Sequence, residues 1–133
     1  MTGLCKDSEI AVALDEELIG ITSPENRRAI MEKIRPAYII LKPGLLGGFS
    51  VAEQWIELAQ DVRTGWWITS ALESSIGLNA ISQWTYQLDV SKPQGLGTGM
   101  LYSNNIQAPL HIEGNQLWYR PERGWDLQSI IEG

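Results

Sequence analysis

The chain has 133 residues, 44% hydrophobic and 20% charged, the balance of one globular domain with enough apolar residues for a core. A net charge of −6, a pI near 4.7 and no cluster among ten Lys and Arg argue against a nucleic-acid partner. A lone cysteine, Cys5, excludes an intrachain disulfide or a cysteine metal cage. A lone histidine, His111, excludes His-pair zinc motifs, and no apolar run approaches the ~20 residues of a membrane helix or a secretory leader, so a cytoplasmic protein is expected.

In chain order, Ile10 to Leu14 is a five-residue apolar run that stops at Asp15-Glu16-Glu17. Ser23-Pro24 supplies an N-cap and a proline at the first helical position, and Ile30, Met31 and Ile34 give that helix an apolar stripe before Pro36 closes it. Tyr38 to Leu41 is a second apolar run, ending abruptly on Lys42-Pro43. It reads as a strand buried on both faces whose last residue emerges into a mouth. Gly44, Gly47 and Gly48 allow a tight turn into a helix opened by Ser50, with Val51, Trp55, Leu58, Ala59 and Val62 at helical spacing and Gly65 as its C′ residue.

Trp66 to Thr69 forms the third apolar run and leads into Ser70-Ala71-Leu72-Glu73-Ser74. A helix from about Ser75 carries Ile76, Leu78, Ile81, Trp84 and Leu88. Gly95 to Gly99 begins a weaker fourth strand position, and Leu110–Glu113, Gly114-Asn115 and Gln116–Tyr119 alternate as a hairpin that contains His111. The glycine runs lack the lysine and hydroxyl of a phosphate loop and the spacing of a dinucleotide fingerprint. The six tryptophans read as core and interface.

Strand ends thus fall at Asp15, Lys42, Ser70 and Gly95, at separations of 27, 28 and 25 residues. A strand, loop and helix recurring at that period make a parallel βα series with room for about four units. The expected fold class is α/β, the C-terminal half of a (β/α)8 TIM-type barrel with a C-terminal β-hairpin, and residues 1–133 form a single partial barrel domain. In such barrels chemistry occurs at the carboxyl ends of the strands, which is where Asp15, Lys42 and the Ser70 loop stand.

ALDEEL around Asp15, IILKPGLLGG around Lys42, SALESSIGL from Ser70 and GLGTGMLYSNN from Gly95 resemble, in order and separation, the successive strand ends of the o-succinylbenzoate synthases. These belong to the muconate-lactonizing subgroup of the enolase superfamily. The resemblance runs from about Ile10 to Tyr119. It implies a hydro-lyase of menaquinone synthesis acting on a small carboxylate substrate, with Mg2+ held by three carboxylates, of which Asp15 matches the third. Lys42 matches the lysine that stabilises the enediolate opposite the catalytic base. The residues Ser70, Ala71, Leu72, Glu73 and Ser74 match the loop that receives the succinyl side chain. For Glu73 a supporting and a structural role stay open, and Ser74 and Ser75 serve equally as caps of the next helix.

The family's Lys-x-Lys base and its first two metal carboxylates have no counterpart in this sequence, and the resemblance places them, with the N-terminal capping domain, ahead of the stretch matched here. The expectation is an inactive fragment in isolation. The alternatives are an N-acylamino acid racemase or dipeptide epimerase of the same subgroup, and a non-catalytic half-barrel. Open strand edges imply a homo-oligomer or a complementing chain supplying the missing strands.

Overall fold

The computed structural model describes residues 10–97 and 101–131. They divide into two compact units that meet in the sequence between Thr69 and Ser70. The first carries a three-stranded parallel sheet, ordered β1 (Ala13–Leu14), β2 (Tyr38–Leu41), β3 (Gly65–Ile68). Ala13 pairs with Tyr38, and Tyr38 with Gly65, so the three strands start in register, and β1 ends opposite Ile39, two residues before β2 does. Strand β1 is shorter than its five-residue apolar run. Among the described residues it lies at the edge of the sheet and is laddered on one side only, to β2. Burial along β2 alternates: Ile39 and Leu41 are fully enclosed while Tyr38 and Ile40 are half-buried, short of the two-sided burial that the run suggests.

The connections follow the local chemistry. Helix α1 (Pro24–Ile34) starts where the Ser23 hydroxyl accepts the Asn26 N–H at 3.1 Å, with proline in the first turn. It ends at Arg35 in the left-handed region (φ 52°), just before Pro36. Pro43–Leu46 form a single helical turn, α2. Gly47 and Gly48 then take φ of 108° and 104°, values that disfavour any side chain, and redirect the chain into α3 (Phe49–Asp61). The cap of α3 is therefore Gly48, two residues before the expected Ser50 opening. Helix α3 packs on β2, β3 and α1, and Trp55, Ala52 and Ala59 on it are fully buried.

Gly65 is not the helix terminator that its place in the sequence suggests. Arg63 takes the left-handed conformation (φ 58°), and Gly65 begins β3. A Cβ there would stand 2.4 Å from the Tyr38 ring, which crosses the strand and packs at 5.3 Å on Trp67. Glycine is required by that close approach. One charged residue, Arg27, is 4% exposed in this unit. Its guanidinium donates to the Ile21 and Thr22 carbonyls and to the Gln54 side chain, and it lies 5.6 Å from the Trp55 ring centroid.

The second unit holds α4 (Ser75–Gln87), the antiparallel hairpin of β4 (Leu110–Glu113) and β5 (Gln116–Tyr119), a 3-10 turn at Pro121–Arg123 and the short helix α5 (Gln128–Ile131). The hairpin has the expected register, Glu113 opposite Gln116 across Gly114-Asn115. The fourth strand position is reduced to an isolated bridge residue at Gly95. The Thr98-Gly99 part of that glycine run lies outside the described residues. No helix among those described is long and apolar enough to cross a membrane.

Candidate active site

Two clusters contain all of the residues that the sequence singles out. In the first unit, Asp15 follows β1 and Lys42 follows β2, neighbouring strands in register, so the two side chains meet although 27 residues separate them. The Lys42 Nζ donates to Asp15 Oδ2 at 2.8 Å and to Glu16 Oε1 at 2.9 Å. The Lys42 side chain is 17% exposed, that of Asp15 26% and that of Glu16 71%, so the cation is placed in the protein while one of its partners stands in solvent. A 3-10 turn at Glu16–Leu18, anchored by buried Leu18, folds the segment back so that adjacent carboxylates face the same lysine. Glu17 turns the other way and accepts the Asp15 N–H at 3.1 Å.

Electrostatics follows from that geometry. The hydrogen bonds it donates to Asp15 and then to Glu16 hold the Lys42 ammonium above its usual range, against a smaller opposing effect of burial. The bond from Lys42 holds the Glu16 carboxyl below its usual range. An ammonium has three donors, and two are taken, leaving one N–H for a further acceptor. Two carboxylates and one ammonium leave the cluster with a net charge of −1, which by itself repels an anion. Among the described residues no group of three or more His, Cys, Asp and Glu is arranged to hold a metal ion. Asp15 is a single hard oxygen donor already bonded to a cation, so these residues alone do not make a magnesium site.

The second cluster is the loop between β3 and α4. Ser70 is 5% exposed, and both its N–H (3.0 Å) and its hydroxyl (3.3 Å) donate to the Gly95 carbonyl, so it anchors the loop. Ala71 is half-buried and Leu72 is exposed. Ser74 caps α4, its hydroxyl accepting the Gly77 N–H at 3.4 Å, and Glu73 lies against Gly77, where a Cβ would stand 2.8 Å from its carboxylate. An acid over the first turn of a helix is favourable in its own right, and the capping role of Ser74 is present. The second unit also has a groove of about 810 Å³ lined by Thr85, Tyr86, Val90, Leu117 and Trp118 among others, which none of the sequence-selected residues reaches.

Comparison with known proteins supplies the frame for these clusters. No family model matches the chain. The curated o-succinylbenzoate synthase of Desulfotalea psychrophila is 57% identical over 117 residues, 88% of this chain and 32% of that protein. The crystal structure of MenC from the same organism superposes with a TM-score of 0.83 at 57% identity, covering 87% of this chain and 32% of the other. This chain is a partial representative of the o-succinylbenzoate synthase family. An o-succinylbenzoate synthase from Vibrio cholerae is 31% identical over 77% of the chain and 31% of its own length. A muconate lactonizing enzyme at 20% identity and a TM-score of 0.75 shares the fold, covering 98% of this chain and 37% of its own. The chain therefore spans about a third of the relatives it matches, and its parallel βα series is part of a larger (β/α)8-type barrel.

Within that synthase frame the structure brings together Asp15 and Lys42 and adds Glu16, which sequence reasoning passed over. Its signal was available, since two adjacent acids at a strand end followed by a turn can both reach the cation of the neighbouring strand. Tyr102 and Asn105 were also passed over. The Tyr102 hydroxyl donates to the Leu72 carbonyl at 3.0 Å, and the Asn105 Oδ1 accepts the N–H of Ser75 at 2.8 Å. Both lie in the GLGTGMLYSNN segment, whose glycines drew attention away from its polar end.

Proposed function

We propose that this chain carries the electrophilic side of an o-succinylbenzoate synthase site. The whole reaction is the dehydration of 2-succinyl-6-hydroxy-2,4-cyclohexadiene-1-carboxylate to o-succinylbenzoate. A base removes the proton on the carbon next to the ring carboxylate, negative charge collects on the carboxylate oxygens, and the hydroxyl leaves with a proton as water. The part assigned to this chain is to hold that charge. The observation that carries it is the Lys42 ammonium at the end of β2, fixed by Asp15 and Glu16 with one N–H left over. A donor held in place before charge develops stabilises the transition state without reorganising. The raised proton affinity of Lys42 keeps it cationic through neutral pH, which suits a charge stabiliser and not a neutral base.

The sequence contains no Lys-x-Lys, so the proton-abstracting base is not assigned to these residues. Mg2+ belongs to the same reading because a divalent cation would offset the cluster's net charge of −1 and strengthen its hold on a dicarboxylate. Asp15 would be one ligand of a site whose other ligands the described residues do not supply. The Ser70–Ser74 loop is assigned the succinyl side chain, and a cytoplasmic location accords with relatives named as o-succinylbenzoate synthases.

Calorimetry with o-succinylbenzoate on the 133-residue chain tests the reading. Lys42→Met should weaken binding by about tenfold or more, the worth of a charge-assisted hydrogen bond. No binding by the unaltered chain, or equal binding by the variant, would overturn it, as would turnover by the chain alone at the rate of complete synthases.

A second reading is favoured by one observation, that β1 is a two-residue edge strand laddered on a single side. Such an edge invites another strand, so the chain would associate with a second copy or a complementing chain. A cooperatively folded monomer in sedimentation at micromolar concentration would exclude it.

A further inference from the structure

The loop assigned to the substrate side chain is tied at three points to one later segment. Ser70 bonds to the Gly95 carbonyl through its N–H at 3.0 Å, the Leu72 carbonyl accepts the Tyr102 hydroxyl at 3.0 Å, and the Ser75 N–H donates to Asn105 Oδ1 at 2.8 Å. Asn105 is itself fixed, since the same oxygen accepts the Ile106 N–H at 3.1 Å. What the ties leave over is informative. The backbone N–H groups of Leu72, Glu73 and Ser74 have no acceptor among the described residues, while the next one, that of Ser75, is taken by Asn105. Of the two carbonyls amid these donors, that of Leu72 is covered by a hydroxyl, which blunts its repulsion of an anion, and the Glu73 carboxylate lies over the first turn of α4, against Gly77.

We propose that Tyr102 and Asn105 are positioning residues that clamp this loop at Leu72 and Ser75, so that the N–H groups between receive the terminal carboxylate of an acyl side chain. The proposal rests on the assignment of the loop to the succinyl arm. Hydrogen bonds to a carboxylate are strong only when donor directions are right, and a loop that must be ordered on binding loses part of that gain. The clamp removes this loss beforehand. It is made at the surface, where Leu72 is 66% and Tyr102 40% exposed, so removing the Tyr102 hydroxyl leaves the core untouched.

The test compares two ligands on the 133-residue chain by calorimetry. One is o-succinylbenzoate and the other 2-butanoylbenzoate, which has a methyl group in place of the terminal carboxylate. The unaltered chain should prefer the first. Tyr102→Phe and Asn105→Ala should each cut that preference by about three- to tenfold, the range of one hydrogen bond, and leave affinity for 2-butanoylbenzoate unchanged. A merely structural role would weaken both ligands alike, and that result overturns the proposal. Unaltered preference in both variants also overturns it while sparing the loop assignment. Absence of preference or of binding in the unaltered chain overturns both.

Discussion

At Lys42 three charges share a space that a sequence presents as two distant motifs. Their mutual bonds set a pH window. Glu16 has its proton affinity lowered in the folded state, so it contributes stability above its ordinary value of 4.5, lost as pH falls through the lower folded value. Lys42 is shifted the other way, so its contribution is complete below 10.5 and lost as pH rises through its raised folded value. Denaturant titrations across pH should thus find a plateau from just above 4.5 to about 10.5, with Glu16→Gln flattening the acid limb and reducing the alkaline limb without abolishing it, since Asp15 still holds Lys42. Arg27 is a different case. Its buried guanidinium is matched by two carbonyls, a glutamine and an indole face. Arg27→Ala leaves those acceptors unpaired and should lower unfolding free energy by roughly 3 kcal/mol in urea melts.

At the scale of elements, helix starts were legible because capping is local chemistry. Ser23-Pro24 and Ser74 sit where they were expected, each hydroxyl accepting an N–H of its own first turn. Ser74→Ala should cost about 1 kcal/mol of stability, read as a lower midpoint in thermal unfolding. Helix and strand boundaries that depend on neighbours were less legible. Gly65 resembles a helix terminator in one dimension, but its absent side chain makes room for Tyr38 from the adjacent strand. Gly65→Ala should cost about 1–3 kcal/mol through overpacking, and Tyr38→Ala in the same background should recover part of that penalty. A terminator role would predict no coupling with Tyr38. The five-residue run at Ile10 to Leu14 yields only two laddered residues, because an apolar sequence supplies strand propensity but cannot supply a partner strand.

For the whole molecule, the chain covers about a third of the length of its synthase relatives, and the described residues hold no group of three or more His, Cys, Asp and Glu arranged for a metal ion. Calorimetric titration of magnesium into the 133-residue chain should accordingly find weak or no binding. Binding that Asp15→Asn abolishes would mean that association has assembled the remaining ligands, and sedimentation of the same sample would then find an oligomer. The half-barrel reading and the association reading meet in this experiment, since a closed assembly is what could bring further carboxylates to Asp15.

The sequence by itself determined the parallel βα series, the hairpin register and the family, because strand ends at a constant period and motifs in fixed order are one-dimensional properties. It also singled out Asp15 and Lys42 as the charged residues that end successive strands. Only tertiary structure decided that both grip each other through adjacent strand ends, that Glu16 joins them, and that Tyr102 and Asn105 hold the loop 30 residues earlier. The physical reason is the same in each case. A hydrogen bond needs its partners about 3 Å apart, and which distant residues reach that distance is set by strand register and loop packing, not by either residue's local sequence.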